Sequence, residues 1–381
     1  MKKKIAFITG ARADFSLMIS VLKAIERSKK LELQVYATSN HLMEEFGYTF
    51  NQVKKEFPNA VAIEAKFESD DKLGMAKFLG NFLTKFVEII SNNPPDIFFI
   101  PCNRVEAFAA AVACSYLGIP MCHIHGGEKT FTVDESARHA ITKLAHIHFA
   151  ATDDAAKRIK KMGEDKWRIH VVGAPMLDTI LNEKLQDRKS LFEDLNFPSN
   201  IEKFILVIQH PVSEEFEKAG EQMEVILKAV ERFNLPVVLI YPHADAGGQR
   251  VIRVIETRRN NSLFHIFPHI PYKQFLALER EALVWVGNSS AGIIESASFK
   301  VPVVNVGIRQ LGRQQSGNVI DVDCDEKQIS DAIEKSLSSE YREEISKISN
   351  VWGDGKASER IVKVLEELEI GSKLLAKQIT Y

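Results

Sequence analysis

Residues 5–25, IAFITGARADFSLMISVLKAI, decide the fold class of this 381-residue chain. Ile5–Thr9 is a continuous apolar run, which is typical of a strand buried on both faces of a parallel sheet. A turn follows at Gly10, and apolar residues then recur at helical spacing: Phe15, Met18, Val21, Leu22 and Ile25. A strand, a turn and an amphipathic helix in this order predict the first unit of an α/β domain.

The same strand-and-helix pattern recurs in two series. The other predicted strands are Leu33–Ala37, Ile97–Ile100, Met121–His125, His148–Ala151, His170–Val172, Phe204–Ile208, Val237–Tyr241, Phe264–Phe267, Leu283–Val286 and Val303–Val306. A polar stretch at 176–203 separates the series, as linkers between domains do. We therefore expect two doubly wound α/β domains facing a central cleft. Their predicted bounds are residues 1–185 and 200–355, and the packing of a C-terminal helix within 356–381 stays open.

Composition excludes several classes of protein. Lys and Arg number 49 against 51 Asp and Glu, so the net charge of −2 argues against a nucleic-acid binder. No apolar run approaches the ~18–20 residues of a membrane span, and Ile5–Thr9 is too short for a secretory leader. The four cysteines form no CxxC pair: Cys102, Cys114, Cys122 and Cys324. We expect a cytoplasmic protein with no nucleic-acid or membrane partner.

Polar residues follow the strands where ligands of open α/β sheets bind, beyond the carboxyl ends. After the first strand, the single Gly10 is not a dinucleotide fingerprint, so NAD and FAD are disfavoured. Arg12 beside a helix start is a natural phosphate site. The alternative is that Asp14 caps the helix and Arg12 is solvated. After the strand at 97–100 comes Asn103, which could equally be an ordinary helix cap.

The densest passage is CHIHGGEKT at 122–130. His123 and His125 point to the same side if the strand continues through them. A group of acidic and basic residues follows, consisting of Glu128, Asp134, Glu135, Arg138 and His139. Such a group is suited to removing a proton from one carbon and returning it. A surface loop and helix start would explain Glu135 but not the His-Gly-Gly-Glu turn. The His-x-His pair has no further ligand at metal spacing, so we predict no metal.

The second half repeats this pattern of polar strand ends. His210, between Gln209 and Pro211, is a suitable phosphate donor or general acid. Ser289 and Ser290, which follow Gly287 and Asn288, offer donors for a diphosphate, and Glu295 can take two ribose hydroxyls. A helix capped by Ser289 alone would explain one serine only. A polar loop also follows Tyr241, and the last strand leads to two arginines suited to an anion, Arg309 and Arg313.

Together these strings resemble the UDP-N-acetylglucosamine 2-epimerase family, specifically its hydrolysing branch. The matching motifs are GARADF (10–15), HIHGGEKT (123–130), DESARHAITK (134–143), QHP (209–211), GNSS (287–290) and RQLGR (309–313). The resemblance implies two Rossmann-like domains of the GT-B type, as in two-domain glycosyltransferases. It also implies that neither a metal nor a nicotinamide cofactor is required, and that the protein is a homodimer or homotetramer.

The resemblance also implies residue roles. Ser289 and Ser290 would bind the diphosphate of UDP, with Glu295 on the ribose. His210, Arg12 and Arg313 would assist at the phosphates. The groups implied near the sugar are Arg104, His125, Glu128, Asp134 and Arg138. The implied catalytic residues are Glu128, Asp134, His125 and Asn103, and Asp14 is implied to bind substrate. The implied reaction removes the C2 proton, eliminates UDP in the anti sense and hydrates the resulting 2-acetamidoglucal, releasing N-acetylmannosamine, a precursor of sialic acids.

One position departs from the family pattern. The family has Gly-Asp-Arg where this chain has Cys102, Asn103 and Arg104, and an amide cannot accept the proton that the aspartate takes. Asn103 could lower the activity, leave proton transfer to Glu128 or Asp134, or mark a changed or lost reaction. UDP-N-acetylglucosamine is the expected substrate. Open alternatives are a UDP- or GDP-linked diacetamido-trideoxyhexose, a glycosyltransferase and a silent nucleotide-sugar binder.

Overall fold

The computed structural model describes residues 2–381 except 45, 46, 66, 70, 132 and 244. The chain divides into two compact units. Unit 1 comprises Met1–Glu128, Val133–Leu181 and Trp352–Tyr381, and unit 2 comprises Lys129–Thr132 and Asn182–Val351. The sequence left the packing of 356–381 open, and the structure assigns this segment to unit 1. No helix among the described residues is long and apolar enough to cross a bilayer.

Unit 1 is built on a seven-stranded parallel sheet of order β3-β2-β1-β4-β5-β6-β7. Its strands are β1 (Lys3–Thr9), β2 (Leu31–Ala37), β3 (Val61–Ala62), β4 (Ile97–Pro101), β5 (Met121–Ile124), β6 (Ile147–Ala150) and β7 (Ile169–Val171). Its first helices are α1 (Arg12–Arg27), α2 (Phe50–Glu56), α3 (Lys72–Asn92), α4 (Val105–Tyr116), α5 (Val133–Leu144), α6 (Asp153–Lys161) and α7 (Met176–Asn182). The core strand β4 is fully buried, as its continuous apolar sequence predicts.

Unit 2 repeats the design with six parallel strands of order β10-β9-β8-β11-β12-β13. The strands are β8 (Ile205–Ile208), β9 (Val237–Ile240), β10 (Phe264–Phe267), β11 (Val284–Gly287), β12 (Val303–Val306) and β13 (Val319–Val322). The helices are α8 (Arg188–Asp194), α9 (Ala219–Glu231), α10 (Gly248–Glu256), α11 (Tyr272–Glu281), α12 (Ser290–Ile294), α13 (Ser296–Phe299), α14 (Glu326–Leu337) and α15 (Ser339–Ser346).

The chain then returns to unit 1 through α16 (Ala357–Glu367) and α17 (Ser372–Leu375). The Lys3 ammonium donates to the carbonyls of Leu365 and Leu368 at 2.7 and 2.6 Å, so it caps the end of α16. The buried Arg168 donates to four carbonyls, those of His146, Lys373, Leu374 and Ala376. These contacts fasten the segment from 352 to 381 to unit 1.

The strand order locates the ligand edge of each sheet. The order reverses between β1 and β4 in unit 1 and between β8 and β11 in unit 2, and ligands of open α/β sheets bind at such switch points. The loops after these four strands begin at Gly10, Cys102, Gln209 and Asn288. These loops and the first turns of the helices that follow them carry seven of the thirteen predicted site residues: Arg12, Asp14, Asn103, Arg104, His210, Ser289 and Ser290.

Candidate functional site

At the unit 1 switch point, two buried carboxylates flank one arginine. Asp14 accepts hydrogen bonds from the backbone N–H groups of Gly10 and Ala11, both at 2.8 Å. The guanidinium of Arg104 donates to Glu106 Oε1 at 2.6 Å, and Glu106 is only 1% exposed. Asp14 therefore supports the turn after β1, which is the capping role that the sequence left open, and its contact with substrate stays a prediction.

Burial dominates the electrostatics of this edge. It raises the pKa of Asp14 to about 6, with Arg104 opposing the rise and Glu106 adding to it. Burial also lowers the pKa of Arg12, the first residue of α1, to about 10. Glu106 was missed by the sequence analysis. A Cβ at residue 10 would lie 1.6 Å from Glu106 Oε1, so Gly10 leaves the space that this carboxylate occupies.

Glu128 is the centre of a buried acid–base cluster. One of its oxygens hydrogen-bonds His125 Nδ1, and the other accepts from Arg138 Nη1 at 3.3 Å. All three side chains are at most 3% exposed. No described group hydrogen-bonds the buried Nε2 of His125. Glu128 thus orients the ring, and His125 Nε2 is left to exchange a proton with a ligand.

The turn that carries this cluster begins earlier than the sequence predicts. The strand does not continue through His125, because β5 ends at Ile124 and His125 has a φ of 59°. His123 instead hydrogen-bonds the Cys102 carbonyl at 2.7 Å and Thr142 Oγ1 at 3.1 Å, so both ring nitrogens face protein atoms. Gly127 completes the turn with a φ of 73°, where a Cβ would lie 2.4 Å from the Ala155 carbonyl.

The remaining predicted site residues of unit 1 lie near these groups in the chain. Asn103 is half-buried in the bend after β4, and Arg104, not Asn103, is the N-cap of α4. Asp134 lies in the first turn of α5, four residues before Arg138. Their catalytic roles stay predictions.

His41 is a buried histidine that the sequence analysis did not single out. It lies between the hydroxyls of Thr9 and Thr49, at 2.9 and 2.7 Å. Burial lowers its pKa to about 3, so the ring is neutral at pH 7. Since Thr9 is the last residue of β1, His41 supports the strand end from which the Gly10 turn starts.

In unit 2, Asn288 joins the ends of the two switch-point strands. Its Oδ1 accepts from the backbone N–H of His210 at 2.8 Å, and its Nδ2 donates to the His210 carbonyl at 2.9 Å. The Asn288 carbonyl accepts from Arg309 at 3.1 Å and from Gln310 at 2.9 Å. Asn288 therefore fixes the backbone of His210 against the loop that carries the arginines.

The ring of His210 is oriented by His243. The two rings stack with centroids 4.3 Å apart and planes inclined by 8°. The backbone N–H of His243 donates to His210 Nδ1 at 3.3 Å. Because Nδ1 is the acceptor, neutral His210 carries its proton on Nε2 and can donate it to a phosphate oxygen.

The two serines predicted to bind the diphosphate follow Asn288 directly. Ser289 is the N-cap of α12 but makes no capping hydrogen bond through its side chain, and Ser290 opens the helix half-buried. Arg313 donates to Gln310 Oε1 at 3.0 Å. Gln310, 1% exposed, thus connects Arg313 to Asn288. The sequence analysis missed this function of Gln310.

Glu295, at the end of α12, is 5% exposed and close to the fully buried Glu279 of α11. Burial raises the pKa of Glu295 to about 7, against a hydrogen bond from Glu279 that lowers it. Burial and the neighbouring Glu295 raise the pKa of Glu279 well above its ordinary value. The sequence predicted Glu295 but not its partner.

Comparisons with known proteins identify the family of this chain. The sequence profile of the UDP-N-acetylglucosamine 2-epimerase family matches residues 23–366. The chain belongs to this family. A UDP-N,N'-diacetylbacillosamine 2-epimerase (hydrolyzing) of Legionella pneumophila is 37% identical over 382 residues, with 100% of both chains covered. A UDP-N-acetylglucosamine 2-epimerase of Neisseria meningitidis is 34% identical over 337 residues, with 88% of each chain covered.

Solved structures confirm the fold. The 2-epimerase of Methanocaldococcus jannaschii, in complex with UDP-GlcNAc and UDP, matches with a TM-score of 0.79 at 19% identity, covering 95% of this chain and 99% of that one. The predicted pair of Rossmann-like parallel-sheet domains of the GT-B type is therefore confirmed, as is the resemblance to the 2-epimerase family.

Proposed function

We propose that this member of the 2-epimerase family is a hydrolysing enzyme that converts a UDP-linked 2-acetamido sugar and water into UDP and the free 2-epimer. The observation that supports the proposal is the buried, hydrogen-bonded pair of His125 and Glu128 beside Arg138. A carboxylate that orients an imidazole with its other nitrogen available suits removal of a weakly acidic C–H proton.

In the first step, the His125–Glu128 pair takes the C2 proton. The C2–H electron pair forms the C1=C2 double bond, and the C1–O bond breaks toward the phosphate of UDP. Negative charge then grows on the diphosphate, where donors from Ser289, Ser290 and His210 stabilise it. Arg12 and Arg313 add positive charge there.

In the second step, water adds across the double bond. Its oxygen bonds to C1, and a proton is delivered to C2 from the face opposite the one that lost it. The proton that the water loses returns to the group that protonated C2, and the proton taken from C2 in the first step passes to solvent. Asp134 is the proposed acid for this delivery, because a second group is needed on the other face. Asn103 orients groups by hydrogen bonding only, since its amide holds no transferable proton.

Two sugars fit this reaction. UDP-N,N'-diacetylbacillosamine is favoured because the Legionella relative named for it matches over the whole chain at 37% identity. UDP-N-acetylglucosamine, the substrate predicted from the sequence, is the second candidate, supported by the Neisseria relative at 34% identity. Its product would be N-acetylmannosamine, a precursor of sialic acids. The homodimeric or homotetrameric state and the cytoplasmic location also stay predictions.

Incubation with each sugar nucleotide in heavy water, followed by proton NMR, tests the proposal. We expect UDP release without an acceptor, one deuterium at C2 of the free sugar, and faster turnover of the diacetamido substrate. Consumption only with an added acceptor would indicate a glycosyltransferase instead. Binding without turnover would indicate a silent nucleotide-sugar binder. Sugar nucleotide without protein is the control for spontaneous hydrolysis.

A further inference from the structure

The C-terminal segment holds the end of α5, the helix that carries Arg138. The Lys377 ammonium donates at 3.2, 2.6 and 2.6 Å to three carbonyls at this end, those of Thr142, Lys143 and Ala145. The last carbonyls of a helix have no partner within the helix, and a positive charge near them is favourable. Lys377 therefore caps α5 from a position 232 residues beyond Ala145 in the chain.

A buried carboxylate fixes the Lys377 ammonium against α5. The side chain of Glu164 is fully buried, and its two oxygens accept from Lys377 at 2.9 Å and from Lys143 at 2.6 Å. His148 of β6 donates to Glu164 as well, at 3.1 Å. Burial alone would raise the pKa of Glu164, but these three hydrogen bonds lower it to about 2, so the carboxylate is charged. The proposed reaction uses neither Glu164 nor Lys377.

Apolar packing does little to fix α5 along its axis. The buried residues of the helix are Arg138, Ile141 and Thr142, of which Ile141 alone is hydrophobic. Thr142 Oγ1 hydrogen-bonds the ring of His123 at 3.1 Å and donates to the Arg138 carbonyl at 3.0 Å. The polar contacts at the C-terminal end of α5 therefore help to set the position of Arg138, which lies about one helical turn before them.

Arg138 is sensitive to such a displacement. Its hydrogen bond to Glu128 is 3.3 Å long, beyond the ~2.7–2.9 Å that is usual between charged partners. A separation of about 3.6 Å is no longer a hydrogen bond. A shift of α5 by a few tenths of an ångström away from Glu128 would therefore break this contact beside the His125–Glu128 pair.

We propose that Lys377 is a positioning residue for the His125–Glu128 pair: by capping α5 it holds Arg138 in contact with Glu128. This inference rests on the proposed function, in which the pair takes the C2 proton. Lys377 acts through Arg138 and makes no contact with the substrate. Its loss slows proton removal and leaves the nucleotide donors of unit 2 in place.

Steady-state kinetics of UDP release by the full chain test the inference in a double-mutant cycle. Lys377→Met keeps the stem of the side chain and removes its charge. We expect kcat to fall about tenfold or more, as for a lost hydrogen bond to a charged group, with KM and the Kd for UDP unchanged. Arg138→Met should lower kcat by at least as much. In the Arg138→Met background, Lys377→Met should lower kcat by less than about threefold further, because its effect passes through Arg138.

Lys373→Met is the matched control. It removes the same charge from the same segment, but its ammonium lies over the Trp167 ring, 5.1 Å from the centroid. This variant should keep the kcat of the wild type. Titration calorimetry with UDP gives the folded fraction of each variant, and the same cycle with Lys377→Gln decides the question if Lys377→Met is unfolded.

The outcomes separate positioning from structural support. An unchanged kcat in folded Lys377→Met would overturn the inference alone. The same fall in kcat with and without Arg138 would also overturn it, because a merely structural role does not depend on that side chain. Failure of the wild type to release UDP from either sugar nucleotide would instead overturn the proposed function, and this inference with it.

Discussion

Replacing Asn288 by alanine should weaken both unit 2 and its binding of UDP. The side chain makes two buried hydrogen bonds to the His210 backbone, at 2.8 and 2.9 Å. Each buried group left without a partner costs about 1–3 kcal/mol, so the expected loss of unfolding free energy is about 2–6 kcal/mol. Urea denaturation measures this loss directly.

The effect on UDP is estimated separately. A displaced His210 loses one charge-assisted hydrogen bond to the diphosphate, about 1.5–3 kcal/mol, or about 10- to 150-fold in Kd. Titration calorimetry measures this change in the Kd for UDP, under conditions where the variant is folded.

Asn318→Ala is the matched control for Asn288→Ala. Asn318 is equally buried, and its Nδ2 makes two hydrogen bonds of 2.7 Å, to Ser296 and to the Val301 carbonyl. The two variants should lose similar stability, but only Asn288→Ala should lose UDP affinity. Equal affinities in the two variants would refute the role of Asn288 in holding His210 for the phosphates.

Four further predictions concern unit 1. Glu128→Gln should lower UDP release from the sugar nucleotide by about 10²–10⁴-fold with little change in UDP affinity, whereas Glu135→Gln on the more exposed face of α5 should not. Asn103→Asp should leave the rate of UDP release unchanged, because His125–Glu128 and Asp134 carry the proposed proton transfers; a rise of about 10²–10⁴-fold would show instead that Asn103 replaces a catalytic carboxylate. Acid should destabilise unit 1, because His41, His123 and His148 have pKa values lowered by burial to about 3, 3 and 4. The unfolded chain therefore binds more protons than the folded chain below pH ~6.5. The free energy of unfolding, measured with urea, should fall by up to about 2 kcal/mol per histidine between neutral pH and pH 5. In His41→Gln this fall should be smaller, because one of the three histidines is absent. Arg168→Ala should expose residues 371–381 to limited proteolysis, and the more exposed Arg27→Ala should not; equal digestion would contradict the clamping role of Arg168.

The sequence predicted the central strands well because burial on both faces leaves a continuous apolar run. Two of the four edge strands, β3 and β13, lack this signal. β3 has only two residues, and β13 contains the exposed Asp321, so neither was predicted. The strand predicted at Met121–His125 ran one residue too far because the positive φ of His125 is set by the turn that follows.

Candidate site residues could be proposed from the sequence where a polar group follows a strand. His210, Glu128 and Ser289 were proposed in this way, and their roles stay predictions. Glu106 and Glu279 were not proposed, because both lie inside helices and their burial depends on partners distant in sequence. An acidic residue in a helix normally faces solvent, so only the folded structure distinguishes these two.

The return of residues 352–381 to unit 1 has a consequence for biosynthesis. Unit 2 is encoded almost entirely by one continuous segment, 182–351, and can assemble while the nascent chain is still growing. Unit 1 depends on α16 and on the carbonyls that Lys3 and Arg168 hold, which the ribosome makes after unit 2. Unit 1 is therefore completed only after unit 2 has been synthesised, and until then the face of α1 that packs against α16 is uncovered.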